Sequence, residues 1–240
     1  MFKIYSARLA GRIALLVTVI LFYLRDKSSL IISNGLSINN GIKFVHFLWL
    51  FLAAGTVRKF FPQSKLSMGC RKQFKCNYTP SDKKPFKSEI TACMKAENAA
   101  AKKVFILWLG GNSVVAGLYY ANILGETEMV LLSICYYVCD LVCVLFYCPF
   151  QSMIMKNRCC VTCRIFNWDS IMMFTPLIFI HSFFSWSLVI MALLVLVRWE
   201  VSYRRYPQLF LEESNQNLKC RYCHENLCKI KNKNGHLNQS

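Results

Sequence analysis

The chain has 240 residues, of which 55% are hydrophobic, and it carries a formal net charge of +17. Its apolar residues are concentrated in long runs, which excludes an ordinary water-soluble domain as the default class. A strongly basic chain can bind nucleic acid, but no nucleic-acid-binding motif is present. The apolar runs instead predict an all-α, polytopic transmembrane helical bundle.

The N-terminal part, residues 1–57, contains two short apolar runs at 13–24 and 45–57. Basic residues precede the first run as they do in a secretory signal, but no small-residue cleavage site follows it, which predicts an uncleaved membrane anchor. The second run is bounded on both sides by Lys or Arg, whose aliphatic stems extend a short span. We predict that both runs cross the membrane, although their length alone also suits interfacial helices.

Residues 58–103 form the most basic segment, with twelve Lys or Arg residues against three acidic ones. Because loops near membrane spans carry their excess of positive charge on the cytoplasmic side, this segment is predicted to be cytoplasmic. A basic residue held near an anionic leaflet gains about 1 kcal/mol, so the bilayer and its anionic lipids are the predicted partner. The Ala-rich stretch 88–103 favours a helix that continues into the next apolar run.

Residues 104–197 contain three predicted spans, at 104–125, 129–150 and 171–197, with a cysteine-rich loop at 151–170. A helix over the first of these rises about 33 Å, close to the thickness of the hydrocarbon core. The last run suits either one tilted helix or two arms of a re-entrant hairpin. We predict one helix, because its proline lies in the first turns, where a missing N–H matters least.

Five spans place the N-terminus, residues 58–103 and the 151–170 loop on the cytoplasmic face of a plasma membrane or a bacterial inner membrane. An odd number of spans puts the polar, cysteine-rich tail, residues 198–240, on the opposite face. The tail nevertheless has eight basic residues against four acidic ones, which favours the cytoplasmic face. The sequence therefore leaves the side of the tail open.

Six of the thirteen cysteines fall into two groups, one in the loop and one in the tail. They are Cys159, Cys160, Cys163, Cys220, Cys223 and Cys228. Each group contains a two-residue gap, which lets two sulfur atoms face one ion. Cytoplasmic thiols are kept reduced, and the neighbouring Arg158 and Arg164 favour thiolates, so metal binding is predicted rather than a disulfide framework. Zinc and an iron–sulfur cluster share these spacings, and the sequence does not decide between them.

Two ionisable residues inside the predicted spans are candidate functional residues. Asp140 neighbours a helical face formed by Cys135, Cys139 and Cys143, and ionisable groups in spans commonly mark ion or proton paths. Alternatively, Asp140 is satisfied by a hydroxyl of a nearby tyrosine or of another span. His181 lies beside serines and is predicted to join a hydrogen-bonded polar patch, or to contact a quinone or another substrate.

The sequence contains neither a hydrolase constellation nor a phosphate-binding glycine loop, and it does not decide whether the protein is an enzyme. Its patterns indicate a membrane protein that binds zinc or an iron–sulfur cluster through surface cysteines, with redox chemistry or electron transfer as its activity. Three alternatives remain: a scaffold with structural zinc, a thiol–disulfide oxidoreductase, and a soft-cation transporter or chaperone. A cytoplasmic tail would let Cys160, Cys163, Cys220 and Cys223 share one site, whereas a tail on the other face would leave each group to act alone.

Overall fold

The computed structural model describes residues 2–32, 43–62, 68–81, 85–157 and 159–223. Within these ranges the chain is helical, as the sequence predicts. The α-helices are, in chain order, α1 (Phe2–Arg25), α2 (Phe44–Val57), α3 (Met68–Arg71), α4 (Lys87–Tyr120), α5 (Glu126–Leu145), α6 (Asp169–Phe174) and α7 (Phe183–Arg205). A short π-helix, Phe150–Met155, follows α5, and a 3-10 helix, Thr175–Phe179, follows α6.

The long helices run between two ends of one bundle. α1 and α5 are antiparallel. Tyr23 donates to Glu128 at 2.8 Å, and Arg12, about three turns earlier in α1, donates at 2.8 Å to Asp140, about three turns later in α5. We call the end that contains Glu128 the Glu128 end. The opposite end, which contains Glu200, is called the Glu200 end.

Helices α2 and α4 also connect these two ends. α2 begins at the Glu128 end, where Lys43 reaches a carbonyl of the turn that follows α1. It ends at the Glu200 end, where Lys59 pairs with Asp169. α4 begins beside the last turns of α7, where Tyr203 donates to Glu97 at 2.7 Å, and then ascends toward the Glu128 end. α4 is one continuous helix, which confirms the prediction that residues 88–103 form a helix that continues into the apolar run.

The main hydrophobic core lies between α1, α2, α5, α6 and α7. Its most buried members include Val19, Leu48, Met129, Phe174 and Leu188. The outer faces of the helices are apolar as well, since Leu21, Phe105 and Leu194 are each about half exposed. A helix that is apolar all round is typical of a membrane span, because lipid rather than water surrounds it.

Among the described residues, three helices are long and apolar enough to cross a membrane, Lys3–Arg25, Glu126–Leu145 and Phe183–Arg205, as an integral membrane protein requires. They overlap three of the five predicted spans. α2 has 14 residues and rises about 21 Å, so it is shorter than a typical span.

The prediction of one helix over residues 171–197 is wrong. α6 ends at Phe174, and the chain continues as the 3-10 helix Thr175–Phe179. Pro176 explains this change, because it has no N–H to donate and its ring crowds the preceding turn. Extended backbone around residues 180–182 then reverses the chain before α7 begins.

The two arms on either side of this reversal are antiparallel. At the start of the first arm, Trp168 donates to Glu200 near the end of α7 at 3.0 Å. At the reversal itself, Ser182 donates to the carbonyl of Ile32 at 3.1 Å. The segment therefore enters the bundle from the Glu200 end, turns near the Glu128 end and comes back.

The described part of the tail consequently lies at the Glu200 end, together with residues 68–81. The backbone of Gln216 donates to Thr79 at 2.9 Å, and that of Ser81 donates to Ser214 at 3.0 Å. The sequence left the side of the tail open, and the structure places its residues up to 223 at the same end of the bundle as residues 68–81. The remainder, 224–240, lies outside the described residues.

Candidate functional site

The cysteine-rich loop is anchored to the end of α7 through Arg164. Its guanidinium donates to both carboxylate oxygens of Glu200, at 2.9 and 2.5 Å, and lies 3.8 Å from the centre of the Tyr203 ring. The backbone carbonyl of Arg164 accepts from the indole of Trp199 at 3.2 Å. The guanidinium of Arg164 is therefore held by a carboxylate beside the loop. Burial raises the pKa of Cys163 to about 11, while Arg158 lies outside the described residues.

A buried lysine supports the turn between the paired loop cysteines. Lys72 is 1% exposed, and its ammonium group donates to the carbonyls of Val161 and Cys163 at 3.2 and 3.3 Å. The same group lies over the rings of Trp199 and Phe210, at 5.3 and 5.8 Å from their centres. Burial lowers the pKa of Lys72 to about 8. In the sequence, Lys72 is one of twelve basic residues of a segment assigned to lipid, so its role could not be seen.

Five cysteines line one cavity of about 150 Å³ between α4, α5, the π-helix and α6. We call them the cavity cluster: Cys139, Cys143, Cys148, Cys160 and Cys163. Cys143, near the end of α5, and Cys148, which follows it, line the same cavity. Cys160 donates to the side-chain oxygen of Gln151 and lies 3.7 Å from the carbonyl of Cys143. The loop pair thus meets cysteines of the fourth predicted span, residues 129–150, which the sequence grouped separately.

The rest of the cavity wall is mainly aromatic and sulfur-containing. It includes Trp108, Tyr136, Phe150, Phe166, Met172 and Met173. Of the predicted face of three cysteines on α5, Cys139 and Cys143 contribute to the cavity. This composition makes the cavity apolar and rich in polarisable atoms.

Two carboxylates also reach the cavity, and both are paired with cations. Asp140 accepts from Arg12 of α1 at 2.8 Å, and Asp169 pairs with Lys59. The partner of Asp140 is therefore an arginine inside the first span rather than the expected hydroxyl. Within the described part of the chain, one oxygen of Asp169, Oδ1, is buried without a hydrogen-bond partner.

A second group of sulfur atoms lies at the surface of the Glu200 end. Cys159, Cys220 and Cys223 line a pocket of about 30 Å³ together with Met68 and Arg71. We call these three cysteines the surface cluster. The sequence grouped all of them as ligands, and the return of the tail is what brings the loop and tail residues to one pocket. Cys228, the sixth predicted ligand, lies outside the described residues.

The adjacent residues Cys159 and Cys160 belong to different clusters. Cys159 lines the surface pocket, whereas Cys160 and Cys163 line the cavity. The shared site predicted for Cys160, Cys163, Cys220 and Cys223 is therefore not formed, because its two halves face different spaces. One peptide bond connects the two clusters.

Neither cluster has the geometry of a completed metal centre in the part of the chain that the structure describes. There, no three His, Cys, Asp or Glu side chains are arranged to hold a metal ion. Zinc requires about four ligands at roughly 2.3 Å around one point. The cavity cysteines are instead spread around a cavity, and the surface cluster places three sulfur atoms around a smaller pocket.

His181 lies apart from both clusters. It is exposed in the reversal before α7, at the Glu128 end, and its ring stacks on Trp186 at 6.4 Å between centres. The predicted polar patch with Ser185 is not formed, because the Ser185 hydroxyl is buried without a hydrogen-bond partner among the described residues. The error arose because one continuous helix over residues 171–197 would have placed His181 inside a membrane span.

The chain was compared with protein-family models, curated proteins and solved structures, and none of them matches it.

Proposed function

We propose that this protein is a thiol–disulfide oxidoreductase embedded in a membrane, in which Cys143, Cys148, Cys160 and Cys163 of the cavity cluster undergo reversible oxidation. One observation carries this proposal: five cysteines line a single cavity. Within it, the thiol of Cys160 lies 3.7 Å from the carbonyl of Cys143, so the loop pair meets the pair at the end of α5. Structural packing alone does not require five thiols around one space.

The proposed cycle has two exchange steps. Oxidation of Cys143 and Cys148 forms a disulfide and releases two electrons and two protons. The thiolate of Cys160, which lies beside Cys143, attacks this disulfide and forms a mixed disulfide. Cys163 then attacks Cys160, which leaves Cys143 and Cys148 as thiols and joins Cys160 to Cys163 by a disulfide. Because burial raises the pKa of Cys163, the attacking thiol needs a proton acceptor. The unpaired oxygen of Asp169 lies on the same cavity wall and supplies one.

The surface cluster connects this cycle to soluble thiols. Cys163 is 4% exposed and Cys160 is 8% exposed, so an external thiol does not reach them directly. Cys220 is exposed, and Cys159 is the chain neighbour of Cys160. The Cys160–Cys163 disulfide left by the cycle is reduced when the thiolate of Cys159 attacks Cys160 and releases Cys163 as a thiol. Cys220 then attacks the Cys159–Cys160 disulfide, and Cys223 releases Cys159 by forming a Cys220–Cys223 disulfide, which two equivalents of a soluble thiol reduce.

We also propose how the bundle lies in the membrane. α1, α2, α4 and α5 are four full crossings, and residues 169–179 together with α7 form a hairpin that enters and leaves the bilayer at the Glu200 end. The Glu200 end is cytoplasmic, because the basic segment and the basic tail are both there, and it binds anionic lipid through these charges. This arrangement removes the conflict between the number of spans and the charge of the tail.

A metal-binding function for the surface cluster is the second candidate. It is favoured by one observation, the common pocket of Cys159, Cys220 and Cys223. Zinc or an iron–sulfur cluster on these sulfur atoms, with Cys228 as the predicted fourth ligand, would fasten the tail to the loop. Elemental analysis and an absorption spectrum of protein purified without oxygen test it. Stoichiometric zinc or iron that Cys159→Ser removes and Cys93→Ser retains would support it; metal-free protein would eliminate it.

A redox titration tests the oxidoreductase. Purified protein is equilibrated with glutathione buffers of graded potential, and each cysteine is then alkylated and quantified by mass spectrometry. We expect Cys143 and Cys148 to become oxidised together along one two-electron curve. Cys143→Ser should leave Cys148 reduced, whereas Cys93→Ser, which lies outside both clusters, should leave the curve unchanged. Full alkylation of both cavity residues at every potential would contradict the proposal.

A further inference from the structure

The cavity cluster opens sideways from the bundle, toward the position that lipid occupies. Cys139 lines the cavity and is itself exposed on the outer face of α5. On the other side of this opening, α4 exposes Phe105, Ile106 and Leu107 and meets α5 through the rings of Trp108 and Tyr136, whose centres are 5.0 Å apart. Elsewhere α4 packs mainly on the π-helix and on Thr175–Phe179. A molecule dissolved in the bilayer can therefore enter the cavity between α4 and α5.

The size and the walls of the cavity fit one six-membered ring. Its volume is about 150 Å³, and an apolar protein cavity of roughly that volume accepts a benzene molecule. Trp108, Tyr136, Phe150 and Phe166 present aromatic surfaces to it. Flat rings gain from such surfaces through stacked and edge-on contacts.

We propose that the occupant is the head group of a lipid-soluble quinone, which accepts the electrons of the cavity thiols. This inference rests on the proposed function and names its electron acceptor. The step balances without a further reactant: Cys143 and Cys148 each lose one hydrogen atom and become joined by a disulfide, and the quinone gains both hydrogen atoms and becomes a hydroquinone. The isoprenoid tail of the quinone stays in the lipid outside Cys139.

Asp169 lines the cavity, with one oxygen held by Lys59 and the other, Oδ1, buried without a hydrogen-bond partner among the described residues. A saturated lipid chain would leave this polar wall unpaired, whereas the hydroxyls of a hydroquinone bring hydrogen-bond donors to the cavity.

The test uses the full-length protein in phosphatidylcholine nanodiscs without oxygen. Reduced protein is mixed with decylubiquinone, and both the absorbance of the quinone and the alkylation of each cysteine are followed. We expect one Cys143–Cys148 disulfide for each quinone reduced. In parallel, the chemical oxidant diamide measures whether the disulfide forms at all.

A pair of matched variants examines the site. Cys139→Phe places a ring in the opening, whereas Cys135→Phe makes the same change one turn away on α5, outside the cavity lining. We expect Cys139→Phe to slow the reaction with quinone at least tenfold while its reaction with diamide is unchanged, and Cys135→Phe to behave as the unmodified protein.

Three results would overturn the quinone inference. If diamide forms the disulfide and quinone does not, the acceptor is wrong while the proposed function stands. If neither oxidant forms it, both fail. Tight binding of Cu(I) in the cavity, together with no reaction with quinone, would identify a soft-cation site instead.

Discussion

The two cysteine clusters contain the same side chain in opposite surroundings. The cavity cluster is formed largely by α5 and the segment that follows it, among aromatic rings, and Cys163 there has a pKa raised by burial to about 11. The surface cluster is formed by a loop and a tail, and its Cys220 is exposed. The comparison shows that one cluster lies at the protein surface while the thiols of Cys160 and Cys163 in the other are buried, and the proposed function assigns soluble thiols to the first and lipid-soluble molecules to the second. Only the step between Cys159 and Cys160 joins them along the chain.

Removing the anchor of the loop should break both clusters and give the largest effect. Glu200→Gln leaves the guanidinium of Arg164, whose side chain is 4% exposed, without its carboxylate. We expect a loss of about 3 to 5 kcal/mol in the free energy of unfolding, because an uncompensated buried charge remains. Thermal unfolding in detergent measures it. Lys27→Met, which removes an exposed ion pair with Glu128, is the control and should leave the unfolding temperature nearly unchanged, because water screens exposed pairs. Equal effects of the two variants would contradict the anchor role of Glu200.

The buried lysine under the loop turn predicts a pH dependence. The pKa of Lys72 falls from its ordinary 10.5 to about 8 on folding, so the unfolded chain holds this proton more tightly than the folded one. Charge on Lys72 therefore opposes folding below pH 8, and this opposition disappears as the pH rises from about 8 to 10.5. Relative to Lys72→Met, the unmodified protein should gain up to about 3 kcal/mol across that window.

Unfolding of both proteins in denaturant at pH 7.5, 9 and 10.5 measures this difference. Since all other titrating groups are common to the two proteins, their contributions cancel. A constant difference across the window would mean that Lys72 is not buried as a cation beneath the turn.

A close contact between α3 and the loop offers a smaller perturbation. A Cβ added at Gly69 would lie 2.6 Å from a carbon of the Phe166 ring, so α3 and the loop must separate. We expect Gly69→Ala to cost about 1 to 3 kcal/mol and to speed alkylation of Cys159 and Cys163 together. Gly55→Ala, where no atom lies within 4 Å of the new Cβ, should not destabilise the protein, because Ala favours the helix, and should leave the alkylation rates unchanged. Alkylation of only one cluster would show that the clusters respond independently.

Changing one surface thiol should have the smallest effect on the fold. Cys220→Ser is exposed and should alter the stability by less than about 0.5 kcal/mol, while it slows reduction of the cavity disulfide by glutathione. Cys76→Ser, exposed but outside both clusters, should leave that rate unchanged. An unchanged rate in both variants would remove Cys220 from the proposed path of electrons.

The sequence predicts the helical class and three membrane-length helices well, because apolar runs and helix length are local properties. The sequence prediction fails at residues 180–182, where the chain turns after Pro176 and a short polar stretch. This turn brings the tail back to the Glu200 end. That error also misplaces His181 and hides the pocket that Cys159 shares with Cys220.

The cysteine pattern predicts which residues are grouped but not how they divide. Spacing of two residues indicates that Cys160 and Cys163 act together, and both do line one cavity. It does not reveal that Cys159, one residue earlier, faces the other way. The role of Lys72 could not be predicted either, because its burial depends on Trp199 and Phe210, which are distant in sequence.

The most direct test of thiol exchange in the cavity is to trap its intermediate. In Cys163→Ser the residue that completes the exchange is absent, so mild oxidation should accumulate a mixed disulfide between Cys160 and either Cys143 or Cys148. Mass spectrometry of peptides from unreduced protein identifies the linked pair. The account predicts this cross-link in Cys163→Ser and its near absence in the unmodified protein; a Cys160 that remains fully alkylated in the variant would contradict it.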